Sequence, residues 1–200
     1  MNEAVQLDPL YAFLKTTTLH AAFARGDDET CLKTARDLVR ASALIGRQGH
    51  FFIAYYSHRA GDQESAEKHY RTFAKLMMGD YQVEAVVRAL KSTAHVPDAL
   101  RALGEARRRE PGSLLPWLLF DAKKEFIVAL DFEISRVQAG DAPSFLLPTG
   151  VIHVWRLVGD RRVAPEVKAV LRKAGLLNYW KKYGWPDRCR AKGEDDFECS

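Results

Sequence analysis

Three cysteines, six histidines and several paired basic residues are the side chains of this 200-residue chain that could carry chemistry. Cys189 and Cys199 stand ten apart near the end, and Cys31 is distant from both. The pair admits three readings: a disulfide stapling the tail in an oxidising compartment, two inert thiols in a cytosolic protein, or a metal site. The last is the weakest, because no histidine lies near the pair and CxxC spacing is missing. No metal is therefore assigned. His50 and His58 are eight apart on one expected helix, about 12 Å along its axis and too far apart to share an ion. His153, beside Trp155 on an apolar segment, reads as a packed core histidine.

The chain holds no HExxH, His-x-His, GxSxG, Walker or GxGxxG pattern. The expectation is a non-enzymatic protein with no catalytic residue and no cofactor. The basic clusters Arg107-Arg108-Arg109, Lys123-Lys124, Arg161-Arg162 and Lys181-Lys182 alternate with Asp and Glu. They read as solvated helix faces or helix ends, where cations favour the C-terminal dipole. Nucleic-acid binding, which usually needs a continuous basic stripe, is not expected. Gel retardation at low salt is its test.

The elements that must position these residues follow from composition and periodicity. The sequence is 47% hydrophobic and 28% charged, with a net charge of +4, enough apolar material for a core and only mildly basic. Its longest uncharged stretch, Ala142–Trp155, is broken by Pro143, Pro148 and Gly150 and is too short to span a bilayer. The start has no signal-peptide layout, so the expected compartment is the cytoplasm, with no membrane insertion.

A repeat organises the first half. Residues 26–36 and 61–71 align at an offset of 35, with Gly26 over Gly61, Asp27 over Asp62, Glu29 over Glu64, Lys33 over Lys68 and Arg36 over Arg71. The physical content is a helix hairpin: glycine ends one helix, aspartate caps the next, and an amphipathic segment follows. Cys31, Leu32, Ala35, Leu38 and Val39 form the apolar face of the first copy. Ala66, Tyr70, Phe73, Ala74 and Met77 form that of the second. A fainter third copy places Ala99, Leu103, Ala106 and Pro111 behind Val83, Val86, Val87 and Leu90.

The pattern resembles the tetratricopeptide (TPR) repeat, a helical hairpin of about 34 residues. Ala66 and Tyr70 match its second helix closely, as do Ala99, Leu103, Ala106 and Pro111. Ala4 and Pro9 repeat the spacing of Ala106 and Pro111, so the chain reads as opening partway through a repeat. It is then either the C-terminal piece of a longer protein or begins with a short capping segment.

Residues 112–139 read as one long helix or two in sequence, with Leu115, Leu118, Leu119, Ala122, Phe126, Leu130, Ile134 and Val137 as its stripe. Gly140–Gly150 reads as a loop, Val151–Val158 as a short helix or strand, and Pro165 opens another helix ended by Gly175. The ending, with Leu176, Tyr179, Trp180, Trp185-Pro186-Asp187 and Cys189, resembles the C-terminus of TPR-bearing bacterial regulators. Tyr179, Trp180 and Trp185 would there cap the last repeat. The regulators' winged-helix or cyclase segment has no counterpart in these 200 residues. A periplasmic location is the alternative if this is the C-terminal part of a membrane-spanning regulator.

The expected fold is therefore all-α: a single domain over 1–200, with three TPR-like hairpins in 12–113 and a long helix plus aromatic helical cap in 114–200. The resemblance implies a concave groove lined by the first helix of each hairpin. It assigns Phe13, His20 and Phe23 from the first repeat, and Gln48, Phe51, Tyr55, His58 and Arg59 from the second. The third supplies Tyr81, Glu84, Arg88 and Lys91. The implied partner is a protein or peptide with acidic character, paired by Arg59, Arg88 and Lys91. For Phe23 and Phe51 the competing reading is that they fill space between hairpins. The alternative function is ligand sensing in a bacterial transcription or signalling regulator.

Overall fold

The computed structural model describes residues 9–41, 43–77, 82–109, 114–140, 164–186 and 189–199. Within them the chain is mostly helical, and successive helices pack as hairpins. The chain forms two compact units, residues 1–122 and 123–200.

In the first unit α1 (Pro9–Arg25), α2 (Asp28–Ala41), α3 (Ala43–Arg59), α4 (Gln63–Met77), α5 (Val83–Lys91) and α6 (Val96–Arg109) each pack on their neighbours in sequence. The two aligned turns make the same hydrogen bonds. Gly26 and Gly61 are left-handed, at φ 77° and 79°. Gly26 N–H donates to Phe23 and Asp27 N–H to Ala22; thirty-five residues on, Gly61 donates to His58 and Asp62 to Ser57. This arrangement satisfies the carbonyls orphaned at a helix end. Asp27 and Asp62 then cap the following helix, accepting from the backbone N–H of Thr30 and Ser65 at 3.1 and 3.0 Å. The turn of the third hairpin has no glycine. Extended Ser92 and the 3-10 turn Thr93–His95 link α5 to α6.

The expected apolar faces are core. Cys31, Ala35 and Leu38, then Ala66, Tyr70, Phe73 and Ala74, then Ala99, Leu103 and Ala106 are all buried. Leu32 and Val39 are half-buried, and the side chain of Met77 lies outside the described residues. Between α2 and α3 the backbones nearly touch. A Cβ on Gly46 would stand 2.8 Å from Val39 Cα, and one on Gly49 would stand 2.5 Å from the Ala35 carbonyl oxygen.

One element breaks the sequential order. A 3-10 helix, Leu115–Phe120, packs on α6 and also returns to α3. Leu115, Pro116, Trp117, Leu118 and Leu119 are buried. Asp121 ends it in the left-handed conformation, at φ 49°, the only non-glycine positive φ among the described residues. Aspartate tolerates that region better than most residues. The expected stripe over 112–139 is thus two elements, the 3-10 helix and α7 (Lys123–Ala139).

In the second unit α7 packs on α8 (Pro165–Lys173), and α8 on α9 (Leu176–Tyr183). Lys173 ties α8 to α7 through Asp131 and Ser135, each at 2.7 Å. The cap is not helical to its end. β1 (Cys189–Ala191) and β2 (Phe197–Cys199) form an antiparallel hairpin with Cys189 opposite Cys199. Left-handed Gly193 lies in its turn, and the two cysteines are joined by a disulfide. Of the expected cap aromatics, Trp180 and Trp185 pack on the fully buried Phe197. Tyr179 is exposed and stacks on Tyr183 at 4.8 Å. Lys168 and Arg172 hold Asp196, clamping the hairpin onto α8. Thiol titration of the denatured chain without reductant is expected to find one thiol, the buried Cys31. Three would contradict the cross-link.

Gly140, at φ 81°, closes α7 as expected. Val151–Val158, His153 and Arg161-Arg162 lie outside the described residues, as do Ala4, Pro111, Tyr81 and the side chains of Phe13 and Arg107 to Arg109. Among the described residues no helix is long and apolar enough to cross a membrane.

Candidate functional site

The groove residues expected on α1 and α3 divide into a buried set and an exposed end. His20 is 3% exposed and donates from Nε2 to Gln48 Oε1 at 2.7 Å, tying α1 to α3. Phe51 is fully buried, its ring 5.3 Å from both Phe52 and Phe73. Tyr55 is 4% exposed and meets Phe23, itself buried, edge-on at 5.3 Å. His20, Phe51 and Tyr55 therefore bind helices to one another instead of lining an open groove. The physical reason is that aromatics of α1 and α3 interlock edge to face, and Phe73 of α4 packs tilted against Phe51.

The exposed end lies at the last turn of α3. His58 is half-buried, its ring edge-on to Phe120 at 6.4 Å. Arg59 is exposed, lies over the Tyr55 ring at 5.6 Å, and pairs with the Asp121 carboxylate at 3.6 Å. Both partners of that pair are more than half exposed. This part of the expected surface is thus met by the chain's own 115–121 segment, apolar residues followed by an acidic one.

Of the residues expected from the third repeat, Glu84, Arg88 and Lys91 lie on α5. Lys91 is paired with Glu67 of α4 at 2.6 Å, and Arg71 bridges Glu67 and Glu84. Lys91 and then Arg71 hold the Glu67 carboxyl below the usual carboxylate range, and Arg71 does the same for Glu84. This network joins α4 to α5, so Lys91 and Glu84 already have partners within the fold. Arg88 is exposed on the same helix, within electrostatic reach of Glu84.

A pair absent from the expected site lies in the α3–α4 hairpin. His50 Nδ1 and His69 Nδ1 are 2.9 Å apart, with ring centroids at 5.0 Å. The sequence carries the signal in principle, because a hairpin turning at Gly61 must bring residues on either side of it together. Comparing His50 with His58, on its own helix, does not reach across that turn. Among the described residues no group of three His, Cys, Asp or Glu side chains could hold a metal ion.

Four histidines are held below their ordinary value of 6.5. Burial is the main cause at each. Gln48 partly opposes it at His20, while like charge adds to it at His50, His58 and His69, from His69, Arg59 and Lys68 respectively. Folding that lowers a histidine pKa keeps the ring neutral, so the unfolded chain binds more protons on acidification. The stability is complete above the unfolded value and is lost as pH falls through the folded ones. Denaturation midpoints are expected to hold between about pH 8 and 7 and to fall steadily from about pH 6.5 to 5. A flat profile over the lower range would contradict this account.

Set against known families, curated proteins and solved structures, the chain matches none of them.

Proposed function

We propose that the chain is a non-enzymatic protein-interaction module of the TPR-like solenoid type, whose basic rim at Arg59 and Arg88 receives an acidic peptide or protein. The observation that carries this reading is the Arg59–Asp121 pair. A carboxylate already sits on Arg59, contributed by the chain and exposed on both sides. Exposed pairs contribute only about 0.2–1 kcal/mol, so an external carboxylate can exchange with the internal one. The repeated glycine–aspartate turns support the solenoid part of the reading, since they recur at a fixed offset with the same hydrogen bonds.

The double substitution Arg59→Ala and Arg88→Ala is expected to weaken binding of a capped, Glu-rich peptide by about tenfold, or about 1.4 kcal/mol. The thermal midpoint should stay within about 2 °C, because both side chains are exposed. Unchanged affinity in a calorimetric titration would sink the assignment.

The same Arg59–carboxylate contact also suits a second reading, a sensor domain of a bacterial transcription or signalling regulator that binds a small carboxylate. A thermal shift with citrate or succinate, without peptide binding, selects it. A disulfide persists in oxidising compartments. Cys189–Cys199 accordingly supports the periplasmic alternative over the cytoplasm.

A further inference from the structure

We propose that His50 and His69 form a two-histidine site for a late first-row divalent metal, copper(II) foremost, chelated through the two Nδ1 atoms. The inference is independent of the peptide-binding reading, because the pair is set in the α3–α4 hairpin and not at the Arg59 rim.

The nitrogen spacing matches one coordination type, once each ring turns so that its Nδ1 lone pair leaves the axis of the hydrogen bond for the ion. Two nitrogens 2.9 Å apart, each with a metal bond of about 2.05 Å, subtend about 90° at the ion. That is the cis angle of a tetragonal centre such as copper(II) or nickel(II), whereas a tetrahedral ion needs nitrogens about 3.3 Å apart. Copper(II) also stands highest in the affinity order of divalent ions. The hairpin holds the two rings close together beforehand. Phe51 packs on Phe73 at 5.3 Å across the same two helices, and Ser57 donates to Ser65 at 3.0 Å nearer the turn. Both imidazoles are half-buried, so each also reaches solvent, and water completes the coordination.

The proton balance is simple. As a hydrogen-bonded pair, one ring carries its proton on Nδ1 and points it at the bare Nδ1 of the other. Chelation needs both Nδ1 atoms bare. The first ring therefore moves its proton to its own Nε2 through solvent, with no net release.

The test is copper(II) sulfate titrated into the full chain, followed by thermal midpoint and by electron paramagnetic resonance. The expected result is one saturable site, a midpoint rising with copper concentration, and hyperfine coupling to two nitrogens. His50→Gln and His69→Gln should each abolish the two-nitrogen signal while retaining the helical circular dichroism spectrum. His95→Gln, at an exposed histidine of the Thr93–His95 turn, should leave it intact. The absence of a saturable site in the wild type overturns the proposal. So does a signal that survives both substitutions, or one lost in the His95 variant. Should His50→Gln unfold the chain, the His69→Gln spectrum alone decides.

Discussion

Gly49→Val is expected to cost about 3 kcal/mol or more of stability and to lower the thermal midpoint by about 10 °C. The added atoms have nowhere to go. A Cβ alone would stand 2.5 Å from the Ala35 carbonyl oxygen and 3.1 Å from Val39 Cγ2. The first of these neighbours is backbone, so relief requires α2 and α3 to separate. That separation would loosen the packing of Leu38 and Ala35 on which the first two hairpins rest. The control is Gly104→Ala in α6, where a Cβ meets nothing within 4 Å. Alanine there should gain up to about 1 kcal/mol through helix propensity. Chemical denaturation of the two variants in parallel checks both signs. A Gly49→Val protein as stable as the parent would refute the close approach of α2 and α3.

Phe51→Ala is expected to destabilise by about 3–5 kcal/mol, the range for emptying a buried aromatic site. The ring is fully buried against Phe52 and Phe73, so its loss leaves a cavity that helices pinned by Tyr55 and Phe23 cannot easily close. A groove-lining role would give the opposite pattern, with stability kept and partner affinity lost. Equilibrium unfolding in urea separates the two. A change below about 1 kcal/mol would return Phe51 to the surface.

How much the sequence reveals depends on how local each determinant is. The hairpin turns are legible because Gly26-Asp27 and Gly61-Asp62 carry their own conformational instruction, a left-handed residue followed by a cap, and both work through residues within five positions. The buried faces of α2, α4 and α6 follow from helical spacing. Which face of α3 is open is not legible. Aromatics crowd the middle of that helix, and the choice among Phe51, Phe52 and Tyr55 rests on partners from α1 and α4. Nor does periodicity reveal the return of Leu115–Phe120 to α3. Its leucines continue the spacing of α7, and the break is a single left-handed aspartate. The terminal hairpin is hidden by strands of three residues each, too short for alternation to register, although its cross-linking cysteines are in view.

The rim at Arg59 is the centre of the functional account, and Asp121→Asn tests it most directly. Asparagine tolerates the left-handed conformation at this position, so the turn should persist while the internal carboxylate is removed. A labelled, capped Glu-rich peptide titrated against wild type and variant by fluorescence anisotropy reads the difference. Freed of its internal competitor, Arg59 should bind the peptide more tightly by about 1.4- to 5-fold, the equivalent of one exposed ion pair. Affinity equal to or below that of the wild type would contradict the claim that Asp121 occupies the place of a partner's carboxylate.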